Sequence, residues 1–299
     1  MSVLLCDSIT KINSNSNSIE NFSFNFLDKK IYGILGKSDS GKEVLLDLMT
    51  SKIKPDAGTI WVDGDNLYKN KEMLDRVCYI NKKTTFPDTY TVLNVLKKMD
   101  STYPKWDNYY AYTLLRHFDI KTNELFVNLS KSKKRLLFGI CALASRANIT
   151  LYDDPVSDVD MKERYDFYTF VYEHFLRYPR TIIITTDYID EFSYMFDKVL
   201  FLDKGKLIDY FNTKDLKTNF RYLTGKTEVL RSLISGIKII GAEERGGILT
   251  VCVRKKLTKD EIRKFQKYLI TISDVPIQKI FIYLINLREI RNKKYETLF

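Results

Sequence analysis

The sequence predicts an α/β protein, a mainly parallel sheet with helices on both faces, followed by a small α+β C-terminal unit. Three observations carry that prediction. An apolar run from Ile31 to Leu35 leads through the glycine-bearing loop 36–41 into Lys42 and the helical pattern Val44 to Met49. Further apolar runs, from Arg76 to Ile80, Asn148 to Asp153 and Thr181 to Thr185, alternate with helical stretches. Strands separated by helices pair in parallel and bury both faces. Beyond about Tyr222 the pattern changes to short strands around a Gly246-Gly247 turn and one capped helix, which marks a separate unit.

The loop is the chemically informative stretch. Gly36, Gly41 and Lys42 fit the glycine and lysine positions of G-x-x-x-x-G-K-[ST]. In that motif backbone N–H groups cradle phosphates at a helix N-terminus, and the lysine reaches the β- and γ-phosphates. The candidate phosphate-binding residues are therefore Gly36, Lys37, Ser38, Asp39, Ser40, Gly41, Lys42, Glu43 and Val44. Two positions depart from the pattern. Glu43 stands where a Ser or Thr hydroxyl would hold Mg²⁺, and Asp39 stands where a small residue is usual.

The remaining elements follow in order. Val3 to Leu5 and Phe22 to Phe26 are predicted strands flanking the polar run Asn13 to Ser18, a loop by composition. Thr59 to Val62 is a strand ending in an Asp63-Gly64 turn. Val92 to about His117 is mostly helical, and a new helix begins near Leu129 and runs through Ala144. Asn148 to Asp154 is an apolar strand closed by two carboxylates, and Val199 to Ile208 is a hairpin around Gly205. Asp187 is expected to cap a helix starting near Tyr188. In the C-terminal unit a helical stretch is expected from about Tyr222, then a strand Ile248 to Val253. Thr258 and Glu261 form a capping box for a helix Ile262 to Leu269, and Ile280 to Ile285 starts a further strand or helix.

Composition sets limits on function. The chain has 299 residues, 44% hydrophobic and 29% charged, enough for one large domain and a small one. Four scattered cysteines and two histidines, with no C-x-x-C pair, disfavour a disulfide framework or a zinc site. The N-terminus lacks a basic segment leading into an apolar core, so no signal peptide is expected. No apolar run approaches the roughly 20 residues that cross a bilayer. The net charge of +10 is spread among 38 acidic residues, which reads as a solvated lysine-rich surface and not as a nucleic-acid face.

Read in order, these motifs resemble the ATP-binding subunit of an ATP-binding-cassette (ABC) transporter. Leu129, Ser130 and Lys131 to Arg135 sit where the family has its Leu-Ser-Gly-Gly signature. Leu151 to Asp153, followed by Asp154, Pro155 and Asp160, resembles the Walker B strand and the D-loop, and Asp203 to Leu207 resembles the closing hairpin. Tyr103 to Asp107 resembles the branch that includes peptide and bacitracin-type efflux systems. The resemblance covers about residues 2–220. It implies a P-loop ABC-type ATPase domain over residues 1–220, with antiparallel N-terminal strands and a helical subdomain at about 84–145. Residues 221–299 would form the small accessory domain, with a dimer-stabilising or regulatory role.

The same resemblance implies roles. ATP would lie between one chain's phosphate loop and its partner's signature residues, here Ser130, Lys131 and Ser132. Lys42 would neutralise phosphate charge. Asp153 would hold Mg²⁺; Glu43 either repels the phosphate or, with Mg²⁺ between them, becomes a second ligand of the metal. Asp154 takes the place of the family's catalytic glutamate, and one methylene less withdraws the carboxylate by roughly an ångström, where positioning dominates phosphoryl transfer. Asp187 replaces the histidine that contacts the γ-phosphate, and Lys82 replaces the Q-loop glutamine. The aromatic that would stack on adenine falls near Asn13, where there is none. These departures imply a weakly hydrolysing subunit with a membrane permease and a second, intact ABC ATPase as partners, a heterodimer in preference to a homodimer. It would bind no nucleic acid, and would dock beneath the membrane at its cytoplasmic face without spanning it. The rival readings are a competent homodimeric transport ATPase and a soluble ABC protein acting on nucleic acid or ribosomes. The second rival is disfavoured by a single phosphate loop and no internal repeat.

Overall fold

The computed structural model describes residues 2–12, 18–70, 76–81, 83–186 and 188–296. The chain divides into two compact units, one of Met1–Tyr188 with Lys198–Asp209, the other of Ile189–Asp197 with Tyr210–Phe299.

In the first unit the parallel sheet forms around β3 (Ile31–Leu35), whose five residues are all buried. A strand buried on both faces must be apolar throughout, and Ile31-Tyr32-Gly33-Ile34-Leu35 meets that requirement. It pairs in parallel with β8 (Thr181–Thr185) on one side and β9 (Lys198–Asp203) on the other. Beyond β8 come β7 (Ile149–Asp153) and β6 (Val77–Ile80), again parallel. β10 (Lys206–Asn212) closes the edge beside β9, so the spatial order is β10-β9-β3-β8-β7-β6.

An antiparallel sheet, β2-β1-β4-β5, is built from β1 (Ser2–Lys11), β2 (Ile19–Leu27), β4 (Ala57–Val62) and β5 (Asp65–Asn66). The strict alternation of β2 buries Phe22, Phe24 and Phe26 on one face, and Phe24 and Phe26 meet Tyr32 edge-on. Both N-terminal strands are longer than the apolar triplets that announce them, because pairing recruits their polar flanks. Helix α1 (Lys42–Met49) buries Leu45, Leu46, Leu48 and Met49 in the same cluster as this face. Each such side chain contributes roughly 1.5–3 kcal/mol of burial.

Residues 84–145 carry three helices. α2 (Val92–Asp100) opens on a Thr91–Asn94 capping box, α3 (Asn108–His117) on Asp107, and α4 (Lys131–Ala144) on Ser130. α5 (Met161–Arg177) follows β7 and is capped by Asp160, whose carboxylate accepts the Glu163 N–H at 3.0 Å. The four cysteines are free and buried.

The second unit departs from the sequence-based expectation at its first strand. Residues near Tyr222 form a strand, β11 (Phe220–Lys226), not a helix. It is the central strand of the sheet β12-β13-β11-β14, with β12 (Ile239–Arg245), β13 (Ile248–Arg254) and β14 (Thr271–Asp274), all antiparallel. Gly225 and the strand-favouring Phe220, Tyr222 and Thr224 disfavour helix, and pairing on both sides decides the matter. A short helix, α6 (Thr213–Asn219), precedes β11, α7 (Thr227–Leu233) follows it, and α8 (Lys259–Lys267) carries the expected Thr258–Glu261 box. Ile280 to Ile285 belongs to the long helix α9 (Ile277–Glu296).

No helix starts near Tyr188. The chain there makes turns and a short 3₁₀ segment, Ser193–Met195. Asp190 instead accepts the backbone N–H groups of Ile277 and Gln278, the latter at 3.2 Å, and so caps α9 from a distance in sequence. A capping residue serves whichever helix end reaches it, and tertiary structure made that choice here.

One buried group is expected to make the first unit acid-sensitive. His174 is 1% exposed and stacks on Tyr110, and its Nδ1 lies 2.9 Å from Arg180 Nη1. Burial, with the positive charges of Arg180, Arg146 and Arg177, pushes its pKa down to about 3. The unfolded chain takes up that proton near pH 6.5, whereas the folded chain resists it. Stability is therefore fully present above about pH 6.5 and is lost as pH falls, by about 2–3 kcal/mol at pH 4.5. Gln at this position keeps an acceptor for Arg180 but does not titrate. His174→Gln is expected to lose less stability than the parent between pH 7 and 4.5, as urea unfolding would measure. Equal losses in both proteins would contradict it.

Candidate nucleotide site

The candidate site grows from the carboxyl ends of β3 and β7, where ligands of parallel α/β sheets bind. The loop between β3 and α1 is tight. A Cβ on Gly36 would lie 2.3 Å from Ser40 Oγ and 2.6 Å from the Leu202 carbonyl oxygen. Gly41 ends the loop at φ +90°, and a Cβ there would lie 2.7 Å from the Ser18 carbonyl oxygen. Only glycine fits either position without displacing backbone. Ser40 N–H donates to Lys37 O at 3.0 Å and Gly205 N–H donates to Ser40 O at 2.9 Å, which pins the turn from both sides. Gly41 at the N-cap offers no side-chain cap to α1, and the positive end of the helix dipole there favours an anion. The Ser40 hydroxyl is fully buried and has no hydrogen-bond partner among the described residues. Lys42 Nζ folds over this loop and donates to Gly36 O and, at 2.9 Å, to Lys37 O.

Around the loop lies a cluster of charges. Glu43 forms an ion pair with Lys83. Asp47, one turn further along α1, shares the electrostatic environment of Glu43, Asp153, Lys52 and Lys83. Burial is the main reason that the Asp47 carboxyl is raised and the Lys52 ammonium lowered, and Lys52 rests on the Tyr79 ring at 4.2 Å. The bond to Glu43 raises Lys83. Asp153 ends β7, and its Oδ1 accepts the Thr185 hydroxyl at 3.0 Å. Asp154 follows with φ +46°, a conformation a non-glycine residue rarely holds. It is fixed there by its N–H, which donates to Thr185 O at 3.0 Å and Thr185 Oγ1 at 3.1 Å. A strained residue locked at a strand end beside a phosphate-type loop is a motive for assigning it a role.

The structure thus brings together Gly36 to Val44 and Asp153, with Asp154 the next residue along the chain. Ser130, Lys131 and Ser132 make their contacts elsewhere. Ser130 Oγ accepts the Lys133 N–H at 3.2 Å as the cap of α4, Ser132 Oγ donates to Glu163 at 3.3 Å, and Lys131 is exposed. Lys82, Asp187 and Asn13 lie outside the described residues. Sequence reasoning missed Asp47, Lys52, Tyr79 and Lys83. The signal for Asp47 was the like-charge pair Glu43 and Asp47 at i and i+4 on one helix face, an arrangement that disfavours a helix unless something compensates it.

The residues fit a nucleotide's phosphates: glycine-only backbone, a helix N-terminus with no side-chain cap, a buried orphan hydroxyl and a lysine in reach. For a metal the fit rests on Asp153, since Mg²⁺ is usually held by one or two carboxylates together with substrate phosphates and water. Among the described residues no group of three or more His, Cys, Asp or Glu is disposed to hold a metal by itself. Mg²⁺ would supply charge neutralisation at the phosphate oxygens, and Asp153 would hold it.

Residues 19–157 match the family model described as ABC transporter. That stretch, a little under half of the chain, is similar to the ATP-binding domain of ABC transporters. It is 27% identical over 191 residues to the ABC transporter ATP-binding protein YtrB of Bacillus subtilis (strain 168), covering 64% of this chain and 65% of that protein. It is 26% identical over 222 residues to the bacitracin transport ATP-binding protein BcrA of Bacillus licheniformis, covering 72% of each. The chain thus spans slightly less than two thirds of the length of the first of these relatives. Among solved structures, a dimeric ATP-binding cassette in a post-hydrolysis state with ADP and Pi superposes with a TM-score of 0.60. The two chains share 18% identity, with 70% of this chain and 98% of that one covered. The fold of the ATP-binding domain is that of the ABC cassettes. No helix among the described residues is long and apolar enough to cross a membrane.

Proposed function

We propose that this chain is the ATP-binding subunit of an ABC exporter, weakly hydrolysing, and paired with an intact ATPase beneath a membrane permease. The observation that carries the reading is Glu43. It occupies the position where a hydroxyl would face Mg²⁺, and it is engaged by Lys83 within a cluster that includes Asp47 and Asp153. A loop of this geometry still supports phosphate binding through Lys42 and the first turn of α1. The surplus of carboxylates opposes it.

In this reading Lys42 would exchange its loop carbonyls for phosphate oxygens, Asp153 would hold Mg²⁺, and Asp154 would receive the proton of the attacking water. Asp154 is shorter than the family's glutamate, and Lys131 and Ser132 replace two signature glycines. In a homodimer both composite sites would combine both sets of losses. With an intact partner, one site would carry the partner's loop and base and only this chain's signature, so that site would sustain turnover. Export as the direction rests on likeness to the bacitracin transport protein and on the Tyr103–Asp107 segment. The exported compound would be a small molecule or peptide.

The test is a mixed complex in which each subunit's catalytic carboxylate is changed in turn. Asp154→Asn in this chain is expected to leave transport within about twofold of the parent, whereas the partner's equivalent change stops it, a loss of about 10²-fold or more. Loss of transport from Asp154→Asn alone would make this chain a working ATPase.

A further inference from the structure

Five basic residues from four stretches of the chain meet at the amino ends of the parallel strands. Lys29 precedes β3, Arg146 follows α4, Arg177 ends α5, Arg180 immediately precedes β8, and Lys105 lies in the loop between α2 and α3. Together they line a cavity of about 690 Å³, with no carboxylate among its lining residues. The phosphate loop lies at the carboxyl ends of the strands and this cavity at their amino ends, so the two are distinct.

Two of these cations have an ordinary explanation. Arg146 and Arg177 sit at helix C-termini, where positive charge is favoured, and Arg146 is also paired with Asp107. Arg180 has no such account. It is 5% exposed, and its contacts are all neutral: Nε donates to Thr150 Oγ1 at 3.1 Å, and Nη1 lies 2.9 Å from His174 Nδ1 and 3.4 Å from Tyr178 O. Its Nη2 is buried without a partner among the described residues, as is Arg146 Nε. Buried charges are normally paired, because desolvation is costly and only an opposite charge offsets it. Burial holds the Arg180 guanidinium below its ordinary value, and the positive charge of Arg146 acts in the same direction.

Aromatic surface completes the cavity. Trp106 lines it, held by a 2.8 Å bond from its Nε1 to Asn108, and Tyr178 lines it with the Arg146 guanidinium stacked 3.7 Å from its ring centre. Cations that fork onto oxyanions, beside rings that accept an organic portion, suit a phosphate-bearing anion.

We propose that this cavity binds a phosphate-bearing anion, which Lys29, Lys105 and Arg177 contact from the surface and which neutralises the buried Arg180 beneath. The phosphate belongs either to a soluble small molecule or to a lipid headgroup, and the two are separable by experiment.

The chain has two tryptophans, Trp61 and Trp106, so Trp61→Phe leaves Trp106 as a reporter inside the cavity. Titrating that full-length protein with sodium pyrophosphate is expected to change Trp106 emission saturably, with half-effect below about 1 mM. Vesicles of equal parts phosphatidylglycerol and phosphatidylcholine form the second arm, against phosphatidylcholine alone. A response to pyrophosphate assigns a soluble phosphate, and a response to anionic vesicles alone assigns a headgroup. Lys105→Ala with Arg177→Ala, both at exposed positions, should weaken the response at least about tenfold. Lys42→Ala, which disables the phosphate loop, should leave it in place. The proposal is overturned by no saturable change in either arm, by an equal change with sodium chloride at matched ionic strength, by an unaltered response in the double variant, or by loss of the response in Lys42→Ala.

Discussion

Lys42→Ala is expected to weaken ATP binding by between tenfold and a hundredfold, without loss of folded structure. A charge-assisted hydrogen bond to phosphate is worth about 1.5–3 kcal/mol, and about 1.4 kcal/mol is a factor of ten. The lysine is well placed to make that bond, because its ammonium already lies across the loop on Gly36 O and Lys37 O. Lys37 is exposed and its carbonyl can turn to water when the lysine is removed, so the fold should tolerate the change. The hydrophobic side of α1, with Leu45, Leu46, Leu48 and Met49 buried, does not involve Lys42 at all. Calorimetric titration with ATP and Mg²⁺, beside a thermal melt, separates the two effects. Equal ATP affinity in Lys42→Ala would mean that the loop is a relic of its ancestry. Gly36→Ala should be harsher on structure, since its Cβ would meet the Leu202 carbonyl oxygen at 2.6 Å, where no flexible side chain can yield.

What could be read from the sequence was local. The strand Ile31 to Leu35, the glycine loop and the helix after it are contiguous, and their pattern follows from burial on both faces and from backbone geometry that only glycine permits. Thr181–Thr185 and Thr258–Glu261 were legible for the same reason. What was hidden depends on contacts between distant segments. β11 is a strand because β13 and β14 pair with it, at Arg221 with Val253 and Asp274, and nothing within Phe220 to Lys226 reveals those partners. Asp190 looks like part of a local helix start and instead caps α9, 87 residues away. In the candidate site, Lys42 and Asp153 announce themselves by motif. The pairing of Glu43 with Lys83, and the positions of Lys52 and Tyr79 beside Asp47, exist only once β6 and α1 are packed. The basic cavity is the extreme case, because its five cations come from four separate stretches of the chain, only Arg177 and Arg180 being close in sequence.

The second large effect is expected at Glu43. An isolated carboxylate about 4 Å from a phosphate charge costs about 4 kcal/mol at an effective dielectric near 20. In this protein the carboxylate is not isolated, since Lys83 pairs with it. That pair is weak compensation: the Lys83 side chain is 67% exposed, and exposed ion pairs contribute about 0.2–1 kcal/mol. Asp47 and Asp153 add negative charge on the other side. The balance therefore stays repulsive, and Glu43→Ser should tighten ATP binding in Mg²⁺ by about tenfold or more. Lys83→Ala should weaken ATP in the parent, because it uncovers Glu43. In the Glu43→Ser background its effect should shrink, and the double-mutant cycle reads that coupling directly. Metal separates the remaining possibility. If Glu43 acts only as a repulsive charge, serine tightens ATP both with Mg²⁺ and with the metal chelated. If Glu43 is a ligand of the metal, serine tightens ATP in chelator but weakens it when Mg²⁺ is present. That reversal of sign would overturn the charge argument and place a second carboxylate beside Asp153 on the ion.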